Sequence, residues 1–224
     1  MRIPNKNDFL KRSTEVLGEI FDMIEKLPIL RMEDLQGKKT ALIIVDMING
    51  FAREGALKSS RVEELIPRIV DISKKCDELE ILKLAFADCH TEASPEFVSY
   101  PAHCMVGTYE AEIVDEIKAI GGYNLIPKNS TNGFLEEKFQ NWLNQNQNIT
   151  TFLITGDCTD ICIQQFAITL KTWFNKQNKK ARVIVPISAV DTYDLGLHDG
   201  DLVKVIALYN MIINGIEVIQ SIKI

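Results

Sequence analysis

Two short runs, the continuous apolar Thr40–Val45 (TALIIV) and the β-branched and aromatic Thr151–Thr155 (TFLIT), constrain this chain more than any other feature. A strand with one wet face alternates apolar and polar residues, whereas a run without alternation fits a strand covered on both faces, as in a parallel sheet. The pattern repeats. Further strands are predicted at Ile81–Ala87, Tyr123–Pro127, Arg182–Pro186 and Ile216–Ile219. Helical periodicity falls between them, near 61–79, 109–119, 134–146, 161–175 and 201–213. Six strands alternating with helices predict an α/β fold: a doubly wound, six-stranded, mostly parallel sheet with helices on both faces. An amphipathic helix over about 8–27, closed by Pro28, precedes the first strand and has no place in the repeat. The chain therefore divides into an N-terminal helical extension, 1–38, and one domain, 39–224. The extension helix is expected to pack on the domain or on a partner subunit.

The chain has 224 residues, enough for one well-cored domain with an extension. Its net charge is −6, which disfavours nucleic acid and anionic membranes as partners. No apolar run approaches the roughly 20 residues of a membrane span, and the opening MRIPNKNDFLKRS lacks the apolar core of a signal peptide. Five cysteines, at 76, 89, 104, 158 and 162, form no CxxC pattern. A reducing, cytoplasmic location is the simplest expectation.

In doubly wound folds the site lies beyond the carboxyl ends of the strands. Asp46 follows the first strand, Asp88 and His90 the second, Lys128 the third, and Cys158, Asp160 and Cys162 the fourth. An Asp beside a thiol can take its proton, and a Lys can orient that Asp. Strand, tight turn and helix around Gly156–Leu170 put Cys162 at a helix N-terminus, which lowers a thiol pKa. Read singly, each of these residues has a bland alternative: buried Cys, capping Asp, surface Lys. The loop 88–104, DCHTEASPEFVSYPAHC, adds Asp88, His90, Glu96 and His103, a nitrogen and oxygen donor set suited to Zn²⁺, Mn²⁺ or Fe²⁺. A solvated polar loop is its alternative. The acidic segment Asp191–Asp201, DTYDLGLHDGD, reads as a solvated turn capping the last helix through Asp199.

Four ordered motifs, covering about residues 39–170, carry a family resemblance: IIVDMINGF (43–51), DCH (88–90) with PAHC-x-x-GT-x-EA (101–111), PKNSTNGF (127–134) and GDCTDICIQQFA (156–167). The chain resembles the isochorismatase-like cysteine hydrolases, and among them the nicotinamidases. The resemblance implies a catalytic triad of Asp46, Lys128 and Cys162. It implies an oxyanion hole from the backbone N–H groups of Cys158 and Cys162, with a cis peptide between Asp157 and Cys158. It implies a divalent metal, zinc first, on Asp88, His90 and His103 with Glu96 as fourth ligand, and a substrate ring between Phe51 and Tyr100. The expected activity is hydrolysis of nicotinamide to nicotinate and ammonia through a Cys162 thioester, in the service of NAD salvage. The expected partner is a small-molecule amide, and a homo-oligomer is expected. A sister hydrolase acting on an N-carbamoyl amide or vinyl ether, or a catalytically silent binding protein, stands as the alternative. Ile48, Gly50 and Tyr100 replace the Gln, Asp and Trp frequent in the family.

Overall fold

A computed structural model of the protein describes residues 5–224. Residues 1–4 of the expected extension lie outside the described residues. The chain runs α1 (Lys6–Glu25), β1 (Ile29–Arg31), β2 (Thr40–Val45), α2 (Asn49–Ala52), α3 (Ser60–Glu63), α4 (Ile66–Glu78), β3 (Leu82–Asp88), α5 (Asp115–Ile120), β4 (Tyr123–Lys128), α6 (Glu137–Gln145), β5 (Thr151–Gly156), α7 (Gln164–Lys176), β6 (Arg182–Pro186), α8 (Gly200–Ile213), β7 (Glu217–Ile219) and β8 (Ser221–Lys223).

The main sheet has the order β4-β3-β2-β5-β6-β7, with every neighbouring pair parallel. The predicted six-stranded doubly wound sheet is thus present. The apolar run of β2 shows why. Ala41, Ile43 and Val45 point into one core with α6, α7 and α8, while Leu42 and Ile44 point into the other with α2 to α5. Both faces are covered, so alternation is absent from the sequence. The chain winds outward from β2 to β4, then crosses to β5 and winds the other way. That reversal opens a crevice past the carboxyl ends of β2 and β5.

Several elements depart from expectation. The helix expected over 109–119 starts only at Asp115. Residues before it are drawn into extended pairing: Ile48 bridges Ile113, and Val114 N–H donates to the Met47 carbonyl at 3.0 Å. The helix over 61–79 is two helices, with Pro67 in the first turn of α4. The helix expected from 161 begins as α7 at Gln164, after a π-helical turn over Thr159–Ile163.

Helix α1 is present. Its C-terminal half packs on the core through Ile20, Met23 and the buried Ile24, while Phe9, Leu10 and Val16 stay exposed. A short parallel ladder absent from the sequence reading joins β1 to β8, Ile29 opposite Ser221 and Arg31 opposite Lys223. Met32 and Leu35, which follow β1, are buried in the core beside Ile222.

Candidate active site

Asp88 and Lys128 are the last residues of β3 and β4 and are direct register partners, so their side chains leave the sheet on the same face. Asp46 follows β2 with φ +53°, an uncommon backbone for a residue with a Cβ. Its N–H donates to the Phe86 carbonyl at 3.0 Å, and its Oδ1 accepts from the Asp88 N–H at 3.0 Å. Lys128 lies between the two carboxylates. Its Nζ is 2.8 Å from Asp46 Oδ2, ion-pairs with Asp88 Oδ1, and lies 3.6 Å from Cys162 Sγ. All four side chains are buried. Lys128 ion-pairs with the buried Asp46 Oδ2, and the Asp46 carboxylate reaches within 4.8 Å of Cys162 Sγ. It keeps a lone pair for a nearby donor.

The electrostatics differ from the sequence expectation at the thiol. Burial pushes the Cys162 thiol well up, against the pull of Lys128. The expected lowering by a helix N-terminus fails because α7 starts beyond Cys162 and the N–H groups of Ile161 and Ile163 already donate to the Cys158 carbonyl. Cys162 is therefore a neutral thiol at rest and needs a base. Burial, and then the Asp88 charge, push the Asp46 carboxyl up to about 7, opposed by Lys128. For Asp88, burial is outweighed by Lys128, His103 and His90, which hold it well below the usual carboxylate range. Lys128 stays charged: its two carboxylates overcome its burial. The sequence pattern thus translates into a thiol, a carboxylate made more basic by burial and a buried cation. The Asp157–Cys158 peptide is cis.

On the other side of Asp88 lie the metal candidates. His90 Nε2 is 3.6 Å from Asp88 Oδ1 and 3.9 Å from Glu96 Oε2; His103 Nε2 is 3.8 Å from Asp88 Oδ2. Donors held at 2.0–2.2 Å by one ion stand about 3.4 Å apart in a tetrahedron, so the spacing suits an ion. The tautomers agree. His90 Nδ1–H donates to Asn129 Oδ1 at 3.2 Å and His103 Nδ1–H to the Pro101 carbonyl at 2.8 Å, which turns both Nε2 lone pairs inward. His90 Nε2 and Glu96 Oε2 are buried without partners among the described residues, whereas Glu96 Oε1 accepts from the Thr131 N–H at 2.9 Å. Orphaned atoms of this kind suit a cation. Asn129 and Thr131, which orient these donors, are absent from the sequence reading; their place directly after Lys128 was the available signal.

A small cavity of about 20 Å³ joins both groups. Asp88, Glu96, His103 and Cys162 line it, together with Phe51 and Tyr100. The sequence reading did not select Leu57, Thr131, Ile161 or Tyr193, which also line it. The small residue at position 50 has a local cause: a Cβ there would lie 2.6 Å from Cys104 Sγ.

Comparison with known proteins identifies the family and the fold. Residues 40–213 match the isochorismatase domain model. Nicotinamidase 1 of Arabidopsis thaliana is 32% identical over 202 residues, 80% of this chain and 82% of that protein. The solved nicotinamidase of Bacillus subtilis superposes with a TM-score of 0.67 at 25% identity, covering 81% of this chain and 99% of the other. A pyrazinamidase of Pyrococcus horikoshii, solved in complex with zinc, gives 0.66 at 25% identity over 81% and 99%. Sheet order, strand-end chemistry and matched residues converge on one conclusion: the chain belongs to the isochorismatase domain family.

Proposed function

We propose that this protein is a metal-assisted cysteine amidohydrolase of the nicotinamidase type, converting nicotinamide to nicotinate and ammonia through a thioester on Cys162. One observation carries the reading: Lys128 touches both Asp46 and Asp88, so the cysteine and its base join the donor set in one cluster, of which Cys162, Asp88, Glu96 and His103 share a cavity. Similarity to named nicotinamidases, one a third identical, supports the substrate class.

Asp46 takes the Cys162 proton, and the thiolate attacks the carboxamide carbon. The N–H groups of Cys158 and Cys162 receive the oxyanion, a contribution of about 3 kcal/mol per donor in sites of this kind. Asp46 returns its proton to the leaving nitrogen, the C–N bond breaks and ammonia departs. Water then adds to the thioester while Asp46 takes its proton, and the C–S bond breaks as the thiolate regains that proton. Lys128 offsets the charge on Asp46 throughout. Asp88, His90, His103 and Glu96 would hold a divalent ion, with zinc the best fit and manganese or iron the alternatives, and it would supply Lewis-acid chemistry for orienting the substrate. Phe51 and Tyr100 flank the ring.

The same reading takes 39–224 as the catalytic domain, 1–38 as its helical extension, NAD salvage as its setting, the cytoplasm as its location and a homo-oligomer as its state. Net charge −6 argues against nucleic acid and membrane partners. No helix among the described residues is long and apolar enough to cross a membrane.

The test is ammonia release from nicotinamide by the metal-replete protein, beside Cys162→Ala and a chelator-treated sample. Release is expected to require both the thiol and the metal. Undiminished turnover by Cys162→Ala would overturn the mechanism, and no release by the replete parent would overturn the substrate.

A further inference from the structure

The segment Asp191–Asp201 does cap α8: Asp199 accepts from the Leu202 N–H at 2.9 Å. It also reaches the active site. Its ends are fastened to the body. Thr159 N–H donates to the Asp191 carbonyl at 2.9 Å, and Arg61 pairs with Asp191 at 2.9 Å and Asp201 at 2.7 Å. Between them Leu195 and His198 exchange backbone hydrogen bonds at 3.0 and 2.9 Å, closing a tight hairpin with Gly196 at φ +59°.

Tyr193 stands at the base of that hairpin and lines the cavity with Cys158 and Cys162. Its ring stacks on His198, centroids 4.1 Å apart and planes 11° from parallel. His198 is fixed at both nitrogens: Nε2 is 2.8 Å from Asp160 Oδ2 and Nδ1 is 2.9 Å from the Tyr193 carbonyl. Asp160 belongs to the nucleophile turn, two residues before Cys162. Contact therefore runs from the nucleophile turn through Asp160 and His198 to Tyr193 and back to the cavity.

That cavity, about 20 Å³, is far below the roughly 300 Å³ at which ligand pockets begin. An entering ring must displace a wall. Phe51 and Leu57 are buried in the core; of the half-buried walls, Tyr100 packs against His103 and Ile161 is held in the nucleophile turn, whereas Tyr193 is carried by a hairpin whose tip, Leu195 and Leu197, is exposed. We infer that Tyr193 is the movable wall of the substrate cavity and that His198, held by Asp160, is the positioning residue that returns it, so that the pair sets how large a ring can lie against Cys162. The identity of the ring rests on the amidase reading; control of access to Cys162 does not.

Two readouts separate these. The first is the rate of Cys162 alkylation by iodoacetamide, followed by peptide mass spectrometry. The second is kcat and KM for nicotinamide. Tyr193→Ala and His198→Ala are expected to alkylate about five- to tenfold faster, the equivalent of one lost stack or charged hydrogen bond. Their KM is expected to rise by a similar factor, with kcat within about twofold. Tyr193→Phe keeps the stack and is expected to match the parent. His198→Phe keeps a ring but loses both hydrogen bonds and is expected to follow His198→Ala; parental behaviour would overturn the positioning role. Asp160→Asn, nearly isosteric, gives the same reading if His198→Ala folds poorly. An unchanged alkylation rate in Tyr193→Ala overturns the inference outright. Absent amide turnover with accelerated alkylation overturns only the substrate.

Discussion

Asp46 shows how one residue can be both strained and tuned. Its left-handed backbone turns the carboxylate from the end of β2 toward Lys128 and the thiol. Only the ionised form can accept the Cys162 proton, and its carboxyl is pushed up to about 7. The acid form is thus favoured below that value while Asp88 carries its full charge; a cation on Asp88 would offset that charge and draw Asp46 down, so kcat/KM of the metal-saturated protein is expected to fall on the acid side of about 7, with a slope of one proton. The absence of any acid limb down to about pH 4 would contradict the assignment of Asp46 as base. Lys128→Met leaves Asp46 and Asp88 facing each other without a counter-charge; the expected loss is about 3–5 kcal/mol, measured by denaturant unfolding. The residue types and order at this site were legible, because strand-end position depends on local pattern. The neutral state of Cys162 was not, because burial is created by α6, α7 and the loops together. Nor were Tyr193 and His198, whose contacts with the nucleophile turn bridge segments far apart in the chain.

At the level of elements, β2 and β5 leave no room for a side chain at the residue where the site begins. Gly156 ends β5 at φ +114°, and a Cβ there would lie 1.9 Å from the Val45 carbonyl oxygen. Gly156→Ala combines a forbidden backbone with a clash against β2, and is expected to cost on the order of 3 kcal/mol or more, read as a lowered midpoint in thermal melts. A parental midpoint would mean the strands can part without loss. The strands were legible because TALIIV and TFLIT are polar only at their terminal threonines and do not alternate as a strand with a wet face would. Boundaries failed in two ways: 109–114 has helical spacing, but Tyr109–Ala111 is only a 3-10 turn and Glu112–Val114 pair with residues 47–49, far away in sequence, while Thr159–Ile163 closes locally on the Cys158 carbonyl as a π-helical turn.

Over the whole molecule, the donor set spans β3 and the loop that follows it, so a bound ion links segments that separate on unfolding. Binding to the native state alone adds RT ln(1 + [M]/Kd), about 2.7 kcal/mol at a hundredfold excess over Kd. Zinc is therefore expected to raise the thermal midpoint of the chelator-treated protein, and His103→Ala to abolish most of the rise. An equal rise in both proteins would place the ion elsewhere. The ladder between β1 and β8 carries a different consequence, one of timing. β1 emerges from the ribosome early, yet its partner strand is made only after the entire main sheet. Until then Met32 and Leu35 lack Ile222 as a core neighbour, so the docking of β1 and the segment after it can be completed only once β8 has been made.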